Sequence, residues 1–153
     1  MEDQVVWQHN DGGRSQSGFK GAAGDCVTRA ISIATEVPYS EVYEELSRRQ
    51  KHFAETHRSA KARRLRKKPS ARDGVCREVY QSYLSELGYE WVPTMKIGSG
   101  CKVHLCGDEL PTGRIIVRLS RHLAAVVNGV IQDTYDCSRN GTRCVYGYFR
   151  KAN

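Results

Sequence analysis

The chain has 153 residues, of which 39% are apolar and 27% charged, and a formal net charge of +7. That size suits one domain with a sizeable core, and the composition excludes a disordered or collagen-like chain. No apolar run approaches the ~20 residues of a spanning helix and the N-terminus has no signal-peptide pattern, so a cytoplasmic protein is expected, with its six cysteines (26, 76, 101, 106, 137 and 144) as reduced thiols.

In chain order, residues 4–8 read as a short extended segment ended by the turn Asn10-Asp11-Gly12-Gly13. A polar, glycine-containing loop leads to Gly24-Asp25-Cys26-Val27-Thr28-Arg29-Ala30-Ile31. There Val27, Ala30, Ile31 and Ala34 recur at helical spacing behind a capping Asp25. Cys26 thus falls at a helix N-terminus, where free amides and the helix dipole favour thiolate over thiol; a small buried hydrophobe is the alternative. The helix is expected to run to about Thr35, since Pro38 biases Val37 away from helical geometry. Ser40 is the expected cap of a second helix over 41–55 that buries Val42, Leu46 and Phe53.

The charge is concentrated in one place. Arg58, Lys61, Arg63, Arg64, Arg66, Lys67, Lys68 and Arg72 stand without an acidic residue among them, and the rest of the chain holds 16 basic against 17 acidic residues. With one leucine and no apolar period, residues 57–73 read as a flexible insertion in a single domain spanning 1–153. It offers three readings: a solvated loop, a sequence-indifferent contact to nucleic acid, or a contact to an acidic protein. Asp73 is the expected cap of a further helix through Val75, Val79, Tyr83, Leu84 and Leu87, with Gly88 ending it. From there the pattern turns to strands: 89–92, 114–119, 123–127, 130–134 and 144–149. Helices first and an antiparallel sheet second is an α+β arrangement.

Asn128-Gly129 between two β-like runs signals a two-residue hairpin, which sets Val127 opposite Val130 and Val126 opposite Ile131. Continued outward, that register pairs Ala124 with Asp133 and His122 with Tyr135. His122 and Asp133 then share one face, within side-chain reach, and Asp136 points away. A cysteine at a helix start, a histidine entering a strand and a carboxylate on the return strand can act as nucleophile, base and orienting group. Amides at the start of the Cys26 helix are candidates for holding an oxyanion.

The segments 24–34 and 122–133 resemble the papain-like cysteine peptidase superfamily, particularly its small bacterial members. Asp25-Cys26-Val27-Thr28-Arg29-Ala30 also resembles the nucleophile motif of ovarian-tumour-type deubiquitinases. Together with Asn10-Asp11-Gly12-Gly13 and Cys144-Val145-Tyr146-Gly147-Tyr148, these segments are similar to a group of uncharacterised bacterial and phage proteins. The resemblance implies a papain-like fold with nucleophilic Cys26, basic His122 and orienting Asp133, acting on a peptide or protein substrate with no cofactor. The usual oxyanion glutamine of that superfamily is replaced by Lys20, which leaves Gln16 and Asn10 as further candidates. An inactive papain-like binding module is the rival reading. The set Cys101-x-x-His104-x-Cys106 with Cys137 and Cys144 lacks the paired knuckles of a zinc site, and no metal is expected.

Overall fold

The computed structural model describes residues 6–19, 24–96 and 98–152. Four helices precede most of the strands: α1 (Cys26–Thr35), α2 (Tyr39–Thr56), α3 (Ala60–Lys67) and α4 (Arg77–Glu86). The strands are β1 (Val6–His9), β2 (Tyr89–Pro93), β3 (Val103–His104), β4 (Arg114–Leu119), β5 (His122–Val127), β6 (Val130–Asp133), β7 (Cys144–Val145) and β8 (Gly147–Lys151). Six of them form one sheet in the order β1-β6-β5-β4-β8-β2, and β3 and β7 form a separate ladder. The expected α+β arrangement is present. The large sheet is antiparallel except at its edge, where β1 runs parallel to β6 and pairs His9 with Asp133.

Alternation along β4 and β5 divides the core between the two sheet faces, as the period of two requires. Ile116, Leu123, Ala125 and Phe149 face α1, α2 and α4 and pack with Ile31, Val42, Leu46 and Leu84. Ile115, Val117, Leu119, Ala124, Val126 and Ile131 face the other way, beneath Leu105, Leu110, Val145 and Cys137. His122 and Asp133 have the parity of this second face.

The Asn128-Gly129 hairpin forms as read, both residues taking positive φ (49° and 81°), and Val127 opposes Val130. The ladder stops at Ala125 and Gln132, so the expected pairs Ala124–Asp133 and His122–Tyr135 are not made. The carbonyl of Asp133 instead accepts the amide of Asn10 (2.9 Å) and the indole of Trp7 (3.1 Å), because β1 occupies that side of β6.

Several other boundaries differ from the sequence reading. α2 starts at Tyr39, since the Val42 amide reaches the Pro38 carbonyl at 3.1 Å, and Ser40 lies inside the helix rather than capping it. Asp73 belongs to a short 3-10 turn (Ala71–Asp73), and α4 begins after Cys76. The expected strand over 144–149 is two strands, β7 and β8, which join different sheets.

The basic stretch contains a helix, where an irregular segment was expected. The Ser59 hydroxyl accepts the Ala62 amide as an N-cap, and Ala62 is fully buried against α2. The Arg66 guanidinium donates to the carbonyls of Ala54 (2.6 Å) and His57 (2.7 Å) at the end of α2. A cationic sequence is thereby tied to helix C-terminal carbonyls, which attract positive charge.

The reading of all six cysteines as thiols is also corrected. Cys101 and Cys144 form a disulfide with Cα atoms 5.8 Å apart, while Cys26, Cys76, Cys106 and Cys137 are free. The β3–β7 ladder opposes His104 to Cys144 and so brings the preceding Cys101 alongside.

Candidate active site

Cys26 occupies the first position of α1, as its sequence context indicates. Asp25 precedes it but does not cap the helix: its side chain accepts none of the first-turn amides. The Asp25 carboxylate is buried and turned away, held by the Arg29 guanidinium, by the Tyr39 hydroxyl at 2.5 Å and by Arg14 at 3.4 Å. The amides at the start of α1 therefore carry no cap from Asp25 and open beside the thiol.

β5 begins with His122, directly after the tight turn Ser120–Arg121 that connects it to β4. The His122 Nε2 atom lies 2.6 Å from Asp133 Oδ2 at the end of β6. Its ring stands near enough to the Cys26 thiol to favour the thiolate. The three residues, one from a helix start and two from strand ends, thus stand in a row, with the His122–Asp133 pair hydrogen-bonded.

Arg29 closes the arrangement. It sits one helical turn after Asp25, and its second nitrogen reaches Asp133 Oδ1 at 3.3 Å. The turn at Asn10-Asp11-Gly12-Gly13 presses on the same helix. Gly12, with φ of +71°, lies so close that an added Cβ would meet the Arg29 backbone at 3.2 Å, and its carbonyl accepts the Ser32 hydroxyl at 3.1 Å. The motif near the N-terminus therefore braces the helix that carries Cys26.

Burial pushes the Cys26 thiol up, yet hydrogen bonds from His122 and the Leu123 amide, with the charges of His122 and Arg29, outweigh it and hold the thiol below its usual value. Burial disfavours the charged form of His122, but its bonds to Asp133, Cys137 and Cys26 prevail and its pKa is pushed up to about 11. Asp133 is likewise opposed by burial and is held low by His122, by the Thr134 amide and by Arg29. The two shifts favour, in direction, a thiolate beside an imidazolium.

Among the described residues, His122, Asp133 and Cys137 place three metal-ligating atoms within 4.8 Å of one another. The chemistry of the set opposes a cation. Asp133 Oδ1 already accepts the Thr134 amide (2.7 Å) and Arg29, Oδ2 accepts His122, and a guanidinium stands where a dication would be repelled. The other sulfur and imidazole ligands weighed in the sequence are engaged elsewhere: Cys101 with Cys144, and His104 and Cys106 with Glu109.

The row opens into a cleft of about 680 Å³ lined by residues of α1, α4, the β4–β5 turn and Tyr135. The Tyr135 ring lies 5.6 Å from that of His122. Neither Asn10 nor Gln16 lines the cleft. The Asn10 amide group donates to Gln132 (3.1 Å) while its oxygen accepts the Gly12 amide (2.8 Å); Gln16 is exposed in the turn, and Lys20 lies outside the described residues. Gln16 belongs to the compact turns of residues 11–18, in which Asp11 binds Gly13 and Ser15.

The eight basic residues do not act as one patch. Lys61 pairs with Glu78 at 2.8 Å, Arg66 binds α2, and Arg64 and Lys68 line a shallow groove with Gly74, Val75 and Cys76. Arg58, Arg63, Lys67 and Arg72 are exposed.

Sequence reasoning placed neither Arg29 nor Cys137 at this site; Cys137 entered only the zinc set that was set aside. Arg29 has a detectable signal, the i, i+4 spacing from Asp25. Cys137, buried beside the imidazole, has none, because a loop delivers it.

No protein-family model, curated protein or solved structure matches the chain.

Proposed function

We propose that the chain is a papain-like thiol hydrolase that cleaves peptide or isopeptide bonds through an acyl-enzyme on Cys26. The observation carrying this reading is Cys26 and His122 side by side in the cleft, with His122 bound to Asp133 behind it. The thiolate attacks the carbonyl carbon, forming a C–S bond, and the oxyanion is held by amides at the start of α1. When the tetrahedral adduct collapses, the C–N bond breaks and His122 gives its proton to the leaving amine. Water, deprotonated by the now neutral His122, then attacks the thioester; the acid leaves and Cys26 returns as thiolate. An amine in place of water gives acyl transfer with the same residues. Asp133 keeps the imidazole oriented and stabilises its cation.

The reaction so written needs no cofactor, and a peptide or protein is its partner. The cytoplasmic placement belongs to this reading as well. In a compartment that keeps thiols reduced, Cys101 and Cys144 would stand as a dithiol beside the β3–β7 ladder. Among the described residues, no helix is long and apolar enough to cross a membrane.

A second reading, an inactive binding module, is favoured by the position of Asn10 and Gln16 away from the cleft. Incubation with p-nitrophenyl acetate separates the two. Catalysis requires a thioester on Cys26 that forms and then turns over, and that is absent from Cys26→Ser and His122→Ala. Acetylation confined to lysines would reject it.

A further inference from the structure

The cleft around Cys26 is strongly cationic. Among the described residues lining it, Asp25 alone is acidic, and Arg14, Arg29 and Tyr39 already engage it. Three more arginines line the same cleft: Arg77 at the start of α4, Arg118 near the end of β4, and Arg121 in the turn before His122. Among the described residues none of the three has a carboxylate partner. Two are held by aromatic rings, with the Arg77 guanidinium 5.2 Å from the Trp91 centroid and that of Arg118 6.0 Å from Tyr146. Stacking fixes a guanidinium by its face and leaves its N–H edge free to fork onto a carboxylate.

The cationic surface continues beyond the cleft. Gly74 and Val75 line both the cleft and the neighbouring groove that carries Lys61, Arg64 and Lys68. Lys61 and Arg64 stand one turn apart on α3, and Lys68 follows its last residue. Lys61 is neutralised by Glu78, whereas Arg64 and Lys68 have no acidic partner among the described residues. A positive track therefore runs from the thiol, across Gly74 and Val75, onto α3.

We infer that the cleft takes a polypeptide with Asp or Glu residues flanking the scissile bond, read by Arg77, Arg118 and Arg121, with further acidic residues lying along Arg64 and Lys68. This inference rests on the proposal that Cys26 is a nucleophile. A polynucleotide would match the charge, but it offers no acyl carbon to a thiolate. An acidic peptide matches both.

The test compares two chloroacetyl peptides identical except that one is glutamate-rich and the other lysine-rich, by the rate at which each alkylates Cys26. Iodoacetamide serves as the neutral reference. The acidic probe is expected to react at least about tenfold faster at low salt, the range electrostatic attraction supplies, with the ratio shrinking as salt rises. Arg121→Glu and Arg64→Glu, both at exposed positions, are expected to reduce that ratio; if either variant fails to fold, the salt series on the native protein decides. A ratio near one, with iodoacetamide still selecting Cys26, overturns the substrate class and leaves the hydrolase standing. If iodoacetamide does not select Cys26, the hydrolase reading fails and this inference with it. Protection of Cys26 by oligothymidylate at lower charge concentration than by polyglutamate also overturns it, in favour of nucleic acid.

Discussion

Arg29 touches two buried carboxylates, Asp25 on its own helix and Asp133 more than a hundred residues away, and is itself 11% exposed. Removing it leaves both acids buried and undercompensated, a defect that typically costs about 3–5 kcal/mol. Arg29→Met, which keeps much of the side-chain volume, is expected to lose stability on that scale in denaturant unfolding. It is also expected to slow Cys26 alkylation at neutral pH, because the Arg29 charge helps hold the thiol low. Loss of stability with unchanged alkylation would confine Arg29 to folding. The choice of Asp133 over Asp136 was legible in the sequence because Asn128-Gly129 fixes a register, and side-chain parity follows even where the ladder ends early. The role of Asp25 was not. An aspartate before a helix reads as a cap, and only Tyr39 and Arg14, brought from separate segments, turn it towards Arg29.

Packing between neighbouring elements sets where the cleft residues stand. The Trp91 ring of β2 lies directly on Gly147 of β8, so that a Cβ there would come within 2.3 Å of the indole. The same indole carries Arg77 on its ring. Gly147→Ala is expected to destabilise by about 1–3 kcal/mol through overpacking, measured by chemical denaturation. It is also expected to change tryptophan fluorescence as the ring is displaced; an unchanged spectrum and midpoint would contradict the packing described. Element boundaries were legible where local chemistry decided them, as in α1 and β4. α3 was not, because its stability comes from one cap, one buried alanine and the bonds of Arg66 to α2 rather than from an apolar stripe.

Across the whole molecule, one covalent link and one proton pair govern the response to conditions. The Cys101–Cys144 disulfide spans 43 residues, and its reduction is expected to lower stability by about 2–4 kcal/mol. Cys101→Ser should abolish the effect of reductant; an equal response in that variant would place the effect elsewhere. For the pair, the raised pKa of His122 gives stability fully present below its unfolded value of 6.5 and lost as pH climbs towards about 11. The lowered pKa of Cys26 acts oppositely, giving stability present above the unfolded 9.0 and lost as pH falls. Just below 9.0 the His122 contribution falls with pH while that of Cys26 rises, so the two offset one another. The thermal midpoint contributed by this pair is therefore expected to be level just below pH 9.0 and to fall above it. A steady fall with pH just below 9.0, removed by His122→Ala, would show that the Cys26 thiol is not held low.

The most direct measurement is the pH dependence of iodoacetamide alkylation at Cys26, followed by mass spectrometry together with the other thiols, in the native protein, His122→Ala and Asp133→Asn. The account predicts that Cys26 reacts fastest, with an apparent pKa well below the ~8.5 of a free thiol. His122→Ala should return that value towards the free thiol, and Asp133→Asn should raise it by weakening the imidazolium. A Cys26 no more reactive than Cys76 or Cys106, or one whose profile ignores His122, would contradict the account.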